Sequence, residues 1–231
     1  MCGRFTLTTT PDVMAQQFQL TTITASLSPR YNIAPSQSVA IITNSQPDHL
    51  QPVQWGLIPK WAKDPLIGNK LVNARSESAF EKPSFKSALK MRRCLIPTSG
   101  FYEWKTVGGK KHPMFIYLED APLFAFAGLW ETWENPNSGA TVLSCSILTT
   151  EANDDIASIH HRMPVIVAPD DYATWLNADE LTTQQALMRP FPNGHVGAYE
   201  VTREVNTPYV DAPYLVQPWA SNDQPSQMSL L

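Results

Sequence analysis

Cysteine is scarce: Cys2, Cys94 and Cys145 are the only three in 231 residues. They are too far apart, and odd in number, for a disulfide framework or a paired-cysteine metal knuckle. Long apolar runs are missing too. No stretch approaches the ~20 consecutive apolar residues of a membrane helix, and no basic segment followed by an apolar run opens the sequence. Charge is sparse, at 16% of residues with a formal balance of -4, which excludes a protein that coats nucleic acid by bulk positive charge. Glycines number 10 and prolines 20; prolines at that density interrupt long helices and exclude an all-helical bundle. Heptads and large apolar helices are also lacking, so a monomeric cytoplasmic chain with no cofactor is expected.

What is present reads as short strands. Segments 38–43, 51–57, 92–97, 101–106, 113–118, 123–129, 141–149, 163–167 and 198–202 are rich in β-branched or aromatic residues and bounded by Pro, Gly or Asn. Val107-Gly108-Gly109-Lys110 is a plausible hairpin connection between two of them. Thr10-Pro11-Asp12 supplies an N-cap, a first-turn proline and an early acid for a helix reaching about residue 20, followed by a loop. Further short helices are predicted over 83–91, 151–158, 169–176 and 179–187. The fold class is α+β, a mainly antiparallel sheet or open barrel with short peripheral helices. We expect one domain over residues 1–217, with 218–231 a loosely held tail.

Charge is unevenly placed. Arg4, Arg30, Lys60, Lys63, Lys70, Arg75, Lys82 and Lys86 fall in the first 90 residues, whereas acids cluster at 131–134, 151–155 and 170–171. A small basic groove on an acidic body is compatible with this pattern, as is ordinary surface variation.

Five features carry chemistry. A small second residue such as Cys2 permits removal of Met1, which would leave a 1,2-aminothiol, an amine of pKa about 7.7–8 beside a thiol of about 8.5. Such a pair condenses with aldehydes: the amine forms an imine and the thiol closes a thiazolidine ring on it. Glu103, in Gly100-Phe101-Tyr102-Glu103-Trp104, shares a strand face with Phe101 and needs a partner if that face is interior. His160 and His161 precede Arg162 at a junction between elements, where an imidazole can move protons near neutral pH. A third ligand that would make them a zinc site is missing. Asn73 and Arg75 lie two apart, on one face of an extended segment, an amide beside a phosphate-binding fork. Trp55-Gly56-Leu57-Ile58-Pro59-Lys60-Trp61 interleaves aromatics with a cation, as in sites that stack bases, although Trp55 is better placed in the core.

Taken together, the motifs resemble the SRAP (SOS response-associated peptidase) family, whose members shield abasic sites in single-stranded DNA. The matching pieces are Met1-Cys2-Gly3-Arg4-Phe5, Arg30-Tyr31-Asn32-Ile33-Ala34-Pro35, Trp55-Gly56-Leu57-Ile58-Pro59, Asn73-Ala74-Arg75-Ser76-Glu77, Gly100-Phe101-Tyr102-Glu103-Trp104, Thr149, and His160 with Arg162 and Pro164. The resemblance implies that Cys2 crosslinks the abasic-site aldehyde, that Asn73 and Glu103 orient its amine, and that His160 transfers protons. It also implies DNA contacts by Arg4, Asn32, Pro35, Trp61, Arg75, Thr149 and Arg162. Some members carry two adjacent tryptophans, whereas here Trp61 is followed by Ala62.

Two other nucleophile chemistries share the Cys2 terminus. Glutamine amidotransferases also open on Met-Cys-Gly, and a thiol peptidase would pair Cys2 with His160, its cut being release of Met1 from its own chain. Arg4 stands where the amidotransferases have an aliphatic residue, and the chain offers no second domain to use released ammonia.

Overall fold

A computed structural model describes residues 2–219. Its strands are β1 (Phe5–Leu7), β2 (Thr22–Ile23), β3 (Arg30–Ile33), β4 (Ser38–Thr43), β5 (Gln46–Trp55), β6 (Asn73–Arg75), β7 (Arg93–Thr98), β8 (Gly100–Val107), β9 (Lys110–Leu118), β10 (Phe124–Glu134), β11 (Thr141–Glu151), β12 (Arg162–Pro164), β13 (Ile166–Val167) and β14 (Val196–Glu200). Short helices α1 (Pro11–Phe18), α2 (Ser76–Ala79), α3 (Lys86–Met91), α4 (Tyr172–Asn177) and α5 (Leu181–Leu187) connect or flank them. No helix among the described residues is long and apolar enough to cross a membrane.

Strands β11, β10, β7, β4 and β5 pair in that order, and β5 returns to β11 in a parallel pairing with Cys145 opposite Trp55. The five therefore close into a small barrel, which leaves them no common edge. Closure depends on Gly56: its N–H donates to Cys145 O at 2.8 Å, its φ is +130°, and a Cβ there would meet Gly68 O at 2.7 Å. A side chain at Gly56 would push away the turn at 65–70 that packs against it just beyond the closing pair. A second sheet, ordered β14-β9-β8-β1-β3, packs against the barrel through Phe5 and Phe101, whose rings meet Phe126 of β10 edge-on at 5.9 and 5.7 Å.

Both faces of β8 are covered. Phe101 points into the main core, while Tyr102 packs with Phe115, Val201, Val205 and Leu215 beneath the chain that follows β14. Glu103 is buried as a result, at 3% exposure.

The α+β class, mainly antiparallel with short helices, is the one the sequence indicated. Thr10 caps α1 by accepting from Val13 N. The β8–β9 turn pairs Val107 with Lys110, and Gly108 and Gly109 take φ of +56° and +78°, as a tight primed turn requires. The helix expected over 151–158 does not form. Strand β11 runs through Glu151, and turns follow because Asn153 donates to Phe191 O and Asp155 accepts from the N–H groups of Gly194, His195 and Val196. Side chains so engaged compete with helical hydrogen bonding. The loop expected after α1 contains β2 and β3, short strands that only their partners stabilise. Most of the expected tail, from residue 220 onward, lies outside the described residues.

Candidate active site

The site is assembled from strand pairings. β1 runs antiparallel to β8 with Phe5 opposite Phe101, and Tyr102 N–H donates to Arg4 O at 2.9 Å. Continued one step, the register sets Gly3 opposite Glu103. On the barrel side, β6 lies parallel to β11 with Asn73 opposite Ile147 and Arg75 opposite Thr149. β12 pairs with the same end of β11, Arg162 opposite Glu151.

Cys2 is fully buried among these strands. Its thiol donates to Arg4 O at 3.8 Å, and its own carbonyl accepts from Asn73 Nδ2 at 2.8 Å. Asn73 Oδ1 is buried and has no hydrogen-bond partner among the described residues, an arrangement that costs free energy unless a donor arrives. Burial, followed by the negative charge of Glu103, pushes the Cys2 thiol well above its ordinary pKa, so it is protonated at neutral pH.

Burial also lowers the pKa of His160 below its usual 6.5, although the charge of Glu103 opposes the shift. The ring is fixed by the backbone: Nδ1 lies 3.0 Å from Arg162 N and 3.1 Å from Arg162 O, and His161 stacks on it with centroids 4.4 Å apart. Glu103 thus acts electrostatically on both Cys2 and His160. A thiol, a carboxylate, an imidazole and a primary amide share one constellation.

The remaining sequence-selected residues divide by exposure. Arg75 and Trp61 are exposed, Trp61 at 58%, and Pro35 is half-buried. Lys60, Lys63, Lys70, Lys82 and Lys86 are also at the surface. Asn32 is fully buried: its amide nitrogen donates to the carbonyls of Val205, Thr207 and Val210, and its oxygen accepts from Arg4, whose guanidinium also reaches Val205 O at 2.7 Å. Thr149 is buried, and its carbonyl accepts from Arg162 at 2.6 Å. Arg162 is 8% exposed and clamped by both carboxylate oxygens of Glu77. That pairing, chiefly its hydrogen bonds, lowers the Glu77 carboxyl from 4.5 to about 2.

Glu77 was noticed in the sequence only as part of a motif, because nothing local pairs it with a residue 85 positions away. Val205, Thr207 and Val210 were missed altogether. They contribute through backbone carbonyls, which composition does not reveal.

The fold is a small barrel backed by a second sheet, with a buried near-terminal cysteine set beside an amide, a carboxylate and an imidazole. The chain belongs to the SOS response-associated peptidase (SRAP) family, whose model matches residues 1–208. It is 42% identical to abasic site processing protein YoqW of Bacillus subtilis (strain 168), over 94% of this chain and 99% of that protein. With abasic site processing protein HMCES of Gallus gallus it shares 32% identity over 82% of this chain and 66% of the relative. A crystal structure of a protein from Bacteroides thetaiotaomicron superposes with a TM-score of 0.77 at 32% identity, covering 82% of this chain and 85% of that one.

Proposed function

We propose that this chain captures the ring-opened aldehyde of an abasic site in single-stranded DNA as a thiazolidine on Cys2, once Met1 has been removed. Hydrolysis of the Met1–Cys2 bond within the same constellation is the self-processing step that frees the amine. The amine adds to the aldehyde carbon and water leaves, giving an imine. The thiol then adds across the C=N bond, forming a C–S bond while the sulfur's proton passes to nitrogen, so water is the only product released. The reading rests on one observation above all: the Asn73 amide holds the Cys2 main chain while Glu103 acts on both Cys2 and His160.

Each neighbour has a task in this scheme. Asn73 Oδ1 is a buried acceptor suited to the Cys2 amine. His160, kept neutral by burial, accepts a proton during ring opening and addition. Glu103 shuttles the thiol proton and stabilises the cationic imine. Exposed Arg75 binds a phosphate flanking the lesion, and Trp61 stacks on a base. Arg4, Asn32, Pro35 and Thr149 shape the groove wall, and Arg162 exchanges Glu77 for a phosphate on binding.

Intact mass spectrometry of the adduct with an abasic single-stranded oligonucleotide tests the scheme. The expected mass is that of the chain lacking Met1 plus the oligonucleotide minus one water. An adduct that keeps Met1, or no adduct, would refute it.

Two further results are expected. Arg75→Ala should weaken affinity for all single-stranded sequences and reduce the log–log salt slope by about 1; an unchanged slope removes Arg75 from the interface. Crosslinking rates of the wild type should fall as the pH drops through the lowered pKa of His160, below 6.5, because the protonated ring accepts no proton. His160→Gln should be slower and lack that acidic limb, with DNA affinity unchanged. An acidic limb of the same midpoint in the variant would assign it to another group.

A further inference from the structure

His160 and His161 are neighbours in the chain but differ in setting: His160 is half-buried and His161 exposed. Their rings lie face to face, with centroids 4.4 Å apart and planes 25° from parallel. The main chain anchors both residues, since His160 N–H donates to Ile156 O at 3.1 Å and His161 O accepts from Ala152 N–H at 3.1 Å. Of the two imidazoles, only His160 has a task in aldehyde capture as described so far.

Nδ1 of His160 has both a donor and an acceptor within reach. Arg162 N–H, at 3.0 Å, satisfies its lone pair, and Arg162 O, at 3.1 Å, accepts its proton. Either tautomer of the neutral ring, and the charged ring, is therefore seated in the same place, and the surroundings decide which is present. Burial is the largest influence and disfavours the charge; Glu103 of β8 favours it, and the chain's terminal amine and His161 oppose it. The guanidinium of Arg162 is held by Glu77 and by Thr149 O.

Two imidazoles in face contact do not take up protons independently. Water solvates the exposed ring better, so the first proton goes to His161. A second proton, on His160, is then placed against a like charge across the stack. We infer that His161 is a positioning residue for His160: its ring braces the His160 imidazole, and its charge reserves that imidazole as a proton acceptor in mildly acidic solution. Even at the dielectric constant of water, like charges at the 4.4 Å separation of the rings lower the proton affinity of the second about three- to tenfold, which is about half to one pH unit.

The test is an NMR titration of the His160 ring in the full chain without DNA, its signal identified by its loss in His160→Gln. His161 is exposed, so substitutions there cost little stability. His161→Phe keeps a flat ring on the stack and removes the charge; the His160 midpoint is expected to rise by about half to one pH unit. His161→Lys, charged throughout the titration, should hold the midpoint at or below that of the wild type. The acidic limb of the crosslinking rate should move to higher pH in His161→Phe, because a ring that is charged sooner accepts no proton. An unchanged midpoint in His161→Phe overturns the inference, as does a midpoint that rises equally far in His161→Lys, which would make His161 a packing residue. The role given to His161 rests on the abasic-site reading, yet the titration needs no DNA: the expected shift in a chain that forms no adduct upholds the coupling and refutes only that reading.

Discussion

Cys2→Ala is expected to abolish the covalent adduct with abasic single-stranded DNA while leaving non-covalent affinity within about twofold. The loss should be complete rather than graded. Without sulfur the sequence of steps stops at an imine, which hydrolyses, and no neighbouring group can close a five-membered ring on that carbon. Affinity should persist because a buried thiol whose hydrogen bond goes to Arg4 O offers nothing to phosphates or bases. Folding should persist as well, since replacing a small buried side chain by alanine costs about 1 kcal/mol. The measurement is a denaturing gel with a labelled oligonucleotide, beside fluorescence anisotropy on undamaged DNA. An adduct of wild-type yield in Cys2→Ala would place the nucleophile elsewhere. Weakened anisotropy without a change in adduct yield would make Cys2 a structural residue.

The largest stability effect is expected away from the site, at Arg93. This guanidinium is 2% exposed and donates to four main-chain carbonyls: Trp175 O at 2.9 Å, Leu89 O at 3.0 Å, Lys90 O at 2.7 Å and Leu176 O at 3.1 Å. Those carbonyls belong to the last turns of α3 and α4, where helices lack internal donors. One side chain thus caps two helices and ties both to the start of β7. Arg93→Leu should cost about 3–5 kcal/mol, because buried acceptors lose charged donors and gain none. For a chain of this size each kcal/mol shifts Tm by about 2–4 °C, so calorimetry should show a fall of roughly 6–20 °C. Arg93→Lys should recover little, since an ammonium cannot span four acceptors that a planar fork serves. A loss below about 1 kcal/mol in Arg93→Leu would mean that water replaces the guanidinium at these carbonyls.

The sequence spoke most clearly where the physics is local. Thr10-Pro11 marked the start of α1 because an N-cap and a first-turn proline act within one turn. Gly108-Gly109 marked the hairpin because two successive positive φ angles suit glycine. Strand β4 appeared at its observed bounds because its apolar run is flanked by turn residues on both sides. Expectation failed where neighbours decide. Residues 151–158 look helical, but Asn153 and Asp155 reach residues about 40 positions away and spend their hydrogen-bonding capacity there. The three residues of β1 carry no alternation, because both of their faces are buried.

The same division runs through the site. Sequence alone determined which groups are available: a cysteine that can become terminal, a carboxylate in an aromatic strand, paired histidines, an amide two residues from an arginine, and an acidic chain with six cations from Lys60 to Lys86. These are properties of residue type and short spacing, which need no fold to exist. Tertiary structure alone decided that Asn73 holds the Cys2 carbonyl, that Glu103 acts on both thiol and imidazole, and that Asn32 and Arg162 are engaged inside rather than displayed. Such relations depend on the tertiary packing of segments far apart in the chain, and on the burial that strengthens every charge among them.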